Sequence, residues 1–216
     1  MRDGMGAGEG MSKDKAFTII GRAALIISEC QRGVIEPERT IFPGLANEVG
    51  RRGIVPRIAR LADCFRAATL PVIHATAAHR ADFLDVKPNT LVDALVRKNR
   101  TMVAGTPDVA IVPELAPLPQ DIVMERSSGM IPFLGTALDP ILRRMDIETV
   151  VITGVSTNLA VSGSAFAASE MGYHVVIPED CIAGADPDVH RAIVDGQLRM
   201  LARIVDAEAV ISALAL

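Results

Sequence analysis

The 216-residue chain contains no tryptophan and a single tyrosine, and only 3% of its residues are aromatic. Half of the residues are nevertheless apolar, so the core must be built from aliphatic side chains. This composition is common where helices cover both faces of a parallel sheet, because the strands of such a sheet are buried on both faces. The length suits one domain.

The chain also lacks a large net charge of either sign. The net charge of -4 and the isoelectric point near 5.6 give no general attraction to nucleic acid or to anionic lipid. No apolar run approaches the roughly 20 residues of a membrane span, and residues 1–15 lack the apolar segment of a signal peptide. We therefore expect neither a nucleic-acid nor a membrane partner. We also expect a flexible extension at 1–15 before a domain at 16–216.

The three cysteines, Cys30, Cys64 and Cys181, are widely spaced and form no CxxC or Cys/His cluster of the kind that binds zinc. Their number and spacing predict a reducing, cytoplasmic setting and a packing role for each thiol.

Short apolar runs alternate with segments of helical spacing. The pattern predicts strands at residues 23–28, 71–75, 122–124, 149–153, 174–177 and 203–205. It predicts helices at 136–145, 158–171 and 187–201, and two helical pieces within 44–68 because Pro56 interrupts them. This order indicates an α/β fold, a three-layer α/β/α sandwich with a mostly parallel, Rossmann-like central sheet, whose site lies beyond the carboxyl ends of the strands.

The segment at 76–120 has little periodicity and several prolines. It is long for an ordinary connection, which predicts a functional loop or lid.

The wording GVSTNxxVxxxAxxAxxxGYxVxxxxD, from Gly154 to Asp180, resembles the isochorismatase-like hydrolase superfamily. The resemblance spans nearly the whole chain after Ala16, with its pieces in the family's order. Cysteine-dependent members of that family place a nucleophilic cysteine just inside the helix that follows this turn. The matching position here is Ala160, which has no nucleophilic atom, so covalent thioester catalysis at this position is excluded.

The first piece, AALIISECQRG, is similar to the family's ALLVIDMQ, in which an aspartate at the end of the first strand acts as general acid or base. Glu29 stands in its place. Desolvation at a strand end suits a carboxylate for proton transfer, so the resemblance implies a catalytic Glu29. The alternative is an ordinary strand-end carboxylate.

The second piece, DIVMERSSGMIPFLGTALDPILRRM, resembles a family segment in which a lysine follows an acidic residue by five positions. Counting from Asp121 gives Arg126. An arginine can stabilise an oxyanion or a carboxylate but cannot release a proton at neutral pH. Its spacing to Phe133 is one residue longer than in the family. The alternative is a surface arginine paired with Glu125.

The third piece is the turn at 154–161, where backbone N–H groups at a helix N-terminus bind an oxyanion or a carboxylate. The resemblance implies a cis peptide between Val155 and Ser156. The residues predicted to contact substrate here are Val155, Ser156, Thr157, Leu159 and Ala160.

Arg80 resembles in placement an arginine that isochorismatases use to hold a substrate carboxylate, although a solvated loop arginine is an equal alternative. His74 and His79 follow the edge where nicotinamidase-like relatives bind a metal. A supporting Asp-x-His is absent, so we predict no metal site and no cofactor, and a capping or core role for each histidine.

Three functions remain open. The first is a hydrolase without a covalent cysteine intermediate that acts on a small, carboxylate-bearing substrate with Glu29 as general acid or base. The second is an inactive family member that serves as a small-acid binding or oligomerisation protein. The third is an amidase with a displaced nucleophile, Cys30 or Ser156, although a strand would turn Cys30 towards the core.

The mean hydropathy of +0.32, with only 22% charged residues, predicts a homo-oligomer, a dimer or a tetramer, because a monomer would expose apolar patches. We expect helices around 135–145 and 162–171 to contribute to the contact.

Overall fold

The computed structural model describes residues 17–215, so the predicted extension at 1–15 lies outside the described residues. The central sheet has seven strands, all paired in parallel, in the order β3-β2-β1-β4-β5-β7, with the short β6 beside β4. The strands are β1 (Arg22–Ser28), β2 (Val72–Ala77), β3 (Ile122–Arg126), β4 (Ile147–Val155), β5 (His174–Pro178), β6 (Ile182–Ala183) and β7 (Arg203–Val205). The predicted parallel sheet is confirmed.

Helices lie on both faces of this sheet. They are α1 (Arg32–Ile35), α2 (Pro43–Arg52), α3 (Ile54–Ala67), α4 (Leu91–Asn99), α5 (Leu138–Arg144), α6 (Ser162–Glu170), α7 (Pro187–Ile193), α8 (Arg199–Leu201) and α9 (Ala207–Leu214). In the described part of the chain, none of them is both long and apolar enough to cross a membrane.

The alternation of side chains along β1 divides the core into two halves. Leu25 and Ile27 pack with α3 and α9, whereas Ala24 and Ile26 pack on the other face with α5 and α6. Because successive strand residues point to opposite faces, one apolar run supplies both halves. The three-layer α/β/α sandwich is confirmed.

Two predicted helices are interrupted. The segment at 158–171 begins as a π turn, Thr157–Val161, before α6, and the segment at 187–201 contains a second π turn, Val194–Leu198, between α7 and α8. A π turn inserts one residue into the helical repeat, and the apolar spacing of the sequence did not predict either insertion.

The segment at 76–120, called the lid below, is more ordered than its sequence indicates. Its first two residues complete β2, and it contains α4 and two short 3-10 turns, Pro107–Val109 and Pro113–Leu115. Thr90 caps α4, since its side chain accepts a hydrogen bond from Asp93 N. The sequence did not predict these elements, because the segment has several prolines and only one short helix. The terminal helix α9 was also not predicted.

Gly154 explains how β1 and β4 approach each other at their ends. Its φ is +92°, and a Cβ atom there would lie 2.1 Å from Ser28 O. Only glycine fits both the conformation and the space. This close approach places the turn after β4 next to Glu29, the residue that follows β1.

Candidate active site

The carboxyl ends of four neighbouring strands form the floor of the site. Glu29 directly follows β1, Arg126 ends β3, and Val155 ends β4. The Glu29 N–H donates to Ala75 O of β2 at 2.9 Å. Glu29 has a φ of +51°, in the left-handed region that is uncommon for residues other than glycine and that often marks functional sites.

Glu29 and Arg126 form an ion pair. Nη2 of Arg126 donates to Oε1 of Glu29, and the two side chains are 4% (Arg126) and 19% (Glu29) exposed. The guanidinium also donates to three backbone oxygens: Gly129 O at 2.9 Å, Thr76 O at 3.2 Å and Met130 O at 3.4 Å. The structure therefore brings the two predicted catalytic residues together, with Arg126 behind Glu29 and engaged by the protein itself.

Burial lowers the pKa of Arg126 to about 10. The guanidinium remains a cation at neutral pH, and the adjacent carboxylate supports that charge. The alternative pairing with Glu125 is not seen.

The turn after β4 has the expected backbone geometry. The peptide bond between Val155 and Ser156 is cis, as the resemblance implied. Ser156 O then accepts hydrogen bonds from Leu159 N at 3.2 Å and Val161 N at 3.1 Å, which closes the π turn. π turns occur frequently at functional sites.

A cavity of about 360 Å³ opens above this floor. Glu29, Ser156, Leu159 and Ala160 line it, whereas Val155 and Thr157 are buried behind the turn and do not. Of the predicted substrate-contacting residues in the turn, three therefore reach the cavity. Ala160, which has no nucleophilic atom, is one of these lining residues.

The wall of the cavity is mainly apolar. It is contributed by the loop before α2, by α2 itself and by the lid, with the side chains of Ile41, Phe42, Leu45, Leu91, Val92, Val96 and Met102. No arginine or lysine between residues 17 and 215 lines the cavity. A larger depression of about 620 Å³ lies near the start of β5 and at β7, away from Glu29 and the turn, and we assign the chemistry to the smaller cavity.

Gln31 fastens the lid to the sheet. Its side chain is buried, its Nε2 donates to Ala77 O at 2.8 Å and to Val109 O at 2.7 Å, and its Oε1 accepts from Ala77 N at 2.8 Å. Sequence reasoning assigned Gln31 no role. The only sequence feature that could have indicated this role was its position in the CQRG segment after the first strand.

The sequence predicted a capping or core role for His79, and in the structure this buried residue also lines the cavity. Its Nδ1 lies 2.7 Å from Ser127 O, and its ring lines the cavity. A carbonyl oxygen can only accept, so Nδ1 carries the proton and Nε2 is the acceptor in the neutral ring. The backbone of His79 is held by bonds to Met102 O and from Ala104 N, both 2.8 Å. His79 is thus a fixed polar group on the lid side of the cavity.

Three other candidates lie away from the cavity. Arg80 is exposed and its guanidinium binds the carboxylate of Asp82 with bonds of 3.0 and 2.7 Å. Cys30 packs in the core, where burial raises the pKa of its thiol to about 12. His74 lies within β2 and contacts Asp121 at 3.4 Å. Between residues 17 and 215, no group of three or more His, Cys, Asp or Glu side chains could hold a metal ion.

Comparisons with known proteins agree with this architecture. The isochorismatase domain matches residues 23–209. The chain belongs to the isochorismatase family.

Three relatives place the chain within that family. It is 30% identical over 201 residues to the uncharacterized isochorismatase family protein YecD of Escherichia coli O157:H7, covering 88% of this chain and 95% of that protein. It is 26% identical to the maleamate amidohydrolase of Pseudomonas putida, over 79% of this chain and 76% of that enzyme. The crystal structure of an isochorismatase family protein from Desulfovibrio vulgaris superposes with a TM-score of 0.79 at 28% identity, covering 91% and 100% of the two chains. By sequence and fold the chain is an isochorismatase-family hydrolase.

Proposed function

We propose that the protein hydrolyses a small molecule without a covalent intermediate at residue 160, with Glu29 as general acid or base. One observation carries the proposal: a cavity remains open above Glu29, Ser156 and Ala160. A filled pocket would have favoured an inactive family member. The maleamate amidohydrolase among the relatives makes small amides the first substrates to test.

In the proposed mechanism, Glu29 exchanges protons at the reacting centre. Arg126 holds the carboxylate in place, and Glu29 accepts a proton from the attacking water and returns it to the leaving group. Arg126 cannot release a proton itself, and we assign it a positioning role. In the π turn at 157–161, Leu159 N and Val161 N already donate to Ser156 O, and the other N–H groups of the turn supply donors for a developing negative charge.

The predicted carboxylate on the substrate has less support. Arg126 already binds Glu29 and three carbonyl oxygens, and Arg80 binds Asp82 outside the cavity. The remaining groups for a substrate carboxylate are the N–H groups of the turn other than those of Leu159 and Val161, which donate to Ser156 O.

A specific observation favours the second candidate, an inactive small-molecule binding protein. Glu29 and Arg126 satisfy each other's charge, and no nucleophile stands at residue 160. A panel of small amides and vinyl ethers separates the two proposals: the hydrolase turns over at least one compound, whereas the inactive protein only binds.

Thiol independence is the first prediction. Iodoacetamide should leave the activity found in this panel largely intact, because the buried thiol of Cys30 has a raised pKa and little thiolate forms. Activity and the intact protein mass are followed together. Stoichiometric inactivation with label on Cys30 would support the displaced nucleophile instead. Ala160→Cys alone should give little amidase activity, because Arg126 cannot cycle a proton.

We also propose a cytoplasmic homo-oligomer. Leu134 and Phe166, near the two predicted contact helices, expose about half of their surface. Large apolar side chains that together form one exposed patch commonly mark subunit contacts. Sedimentation should show a species heavier than the 22.9 kDa chain, and Phe166→Glu should shift it towards the monomer. A single monomeric species of the wild type would contradict the proposal.

A further inference from the structure

The charges that line the cavity are acidic and already engaged. Glu29 is paired with Arg126. Asp93, on α4, accepts a hydrogen bond from Thr90 Oγ1 at 2.6 Å as part of the cap of that helix. No lysine or arginine of residues 17–215 lines the cavity, so no cationic side chain is available there to pair with an anionic ligand.

An anionic ligand would therefore lose its hydration without gaining a cation. Burying a carboxylate without a partner is strongly unfavourable, and the nearby acidic groups add repulsion. The two arginines that could have supplied the partner are bound to Glu29 and to Asp82.

The apolar wall favours a different ligand. Leu45 of α2 and Val92, Val96 and Met102 of the lid face the cavity together. Val92 and Val96 also pack against a small core within the lid that includes Phe83, so these side chains are held in place. A ligand with an apolar body would be bound by contact with this wall.

His79 supplies a fixed hydrogen-bond acceptor in the same cavity. Its Nδ1–H is bound to Ser127 O, and its ring lies 6.3 Å from that of Phe83. Nε2 makes no hydrogen bond within the described residues and is not fully buried, so it is open to the cavity. It can accept an N–H or O–H donor from a ligand.

We propose that the cavity takes an uncharged, largely apolar small molecule whose N–H or O–H group donates to Nε2 of His79. The inference rests on the proposed function in using the same cavity. Binding of this class of ligand can be measured without turnover.

The charge preference is tested with a matched pair of probes, cinnamamide and 4-carboxycinnamamide, by isothermal titration calorimetry on the full chain. We expect cinnamamide to bind at least about tenfold more tightly, since an unpaired carboxylate is desolvated. Leu91→Arg places a cation at the rim and should shrink or invert this ratio. Leu84→Arg is the control, because Leu84 is similarly exposed, 79% against 75% for Leu91, but does not line the cavity.

The donor preference is tested with N,N-dimethylcinnamamide, which has no N–H group. Wild-type protein should prefer cinnamamide by about 3- to 10-fold, the range of one hydrogen bond. His79→Phe removes the acceptor, keeps a ring next to Phe83 and should abolish this preference, and the cycle of two probes and two proteins cancels differences in size.

Three results would overturn the inference: equal or tighter binding of the carboxylated probe by wild-type protein, no binding of either neutral probe at millimolar concentration, or a preference for the N–H probe that persists in His79→Phe. If the neutral probes bind as expected but no compound is hydrolysed, the proposed function fails and this inference stands.

Discussion

Strand β3 has an arginine–carboxylate pair at each end, and the two pairs differ in what surrounds them. At its start, Asp121 binds Arg66 of α3 with bonds of 2.6 and 3.2 Å. At its end, Arg126 binds Glu29. The Asp121 side chain is 1% exposed, whereas that of Glu29 is 19% exposed and lines the cavity. A buried ion pair is weak evidence for function, so the open face of Glu29 decides the assignment.

Both carboxylate oxygens of Asp121 are hydrogen-bonded to groups of the protein. Besides Arg66, the carboxylate accepts from Leu118 N at 2.9 Å and contacts Nε2 of His74 at 3.4 Å. Burial raises the pKa of Asp121, but the hydrogen bonds from Arg66 and Leu118 N outweigh burial and hold that pKa below its ordinary value. This pair joins α3, β2 and the end of the lid, and we assign it to stability.

The largest effect on stability should follow from breaking the Asp121 pair. Asp121→Ala leaves the guanidinium of Arg66 without its main partner and should lower the free energy of unfolding by about 3–5 kcal/mol. Urea denaturation measures the change. Asp63→Ala is the matched control, because Asp63 binds the same guanidinium at 2.9 Å but is 74% exposed, and it should cost only about 0.5 kcal/mol. Equal losses in both variants would contradict the assignment.

A smaller effect should appear as a pH dependence. Burial lowers the pKa of His74 although Asp121 opposes the shift, and burial also lowers the pKa of His190. As pH falls below about 6.5, the histidines of the unfolded chain therefore take up protons before those of the folded chain. The free energy of unfolding decreases as pH decreases. This stability is present above that pH and is lost as pH falls towards the folded pKa values.

Each histidine contributes at most about 1.4 kcal/mol per pH unit. Urea titrations between about pH 7.5 and 5 measure the slope. His74→Gln removes one titrating group and keeps a donor for Asp121, so its slope should be shallower than that of the wild type. The idea fails if both proteins show the same slope.

The sequence was informative where one residue type is required locally. The apolar runs predicted six strands to within a few residues, and the family resemblance at the Gly154 turn implied the cis peptide. Cys30 was correctly predicted to pack in the core, but it lies beyond the end of β1, so the alternation of strand side chains is not the reason.

The sequence was uninformative where a side chain's partner lies far along the chain. Arg126 was expected to face a substrate, but Thr76 O and the Glu29 carboxylate, 50 and 97 residues away, engage it. The tautomer of His79 depends on Ser127 O, a carbonyl 48 residues away. Such contacts are set by tertiary folding and leave no periodicity to read.

The most direct test compares the two pairs in one assay. Glu29→Gln keeps the shape and the acceptor for Arg126 but removes the exchangeable proton, so kcat on a substrate from the panel should fall about 100-fold or more with the fold intact. Asp121→Asn should lower stability while kcat per folded molecule stays near that of the wild type. If Glu29→Gln retains more than about a tenth of the wild-type kcat, Glu29 is not the acid or base and the central claim is wrong.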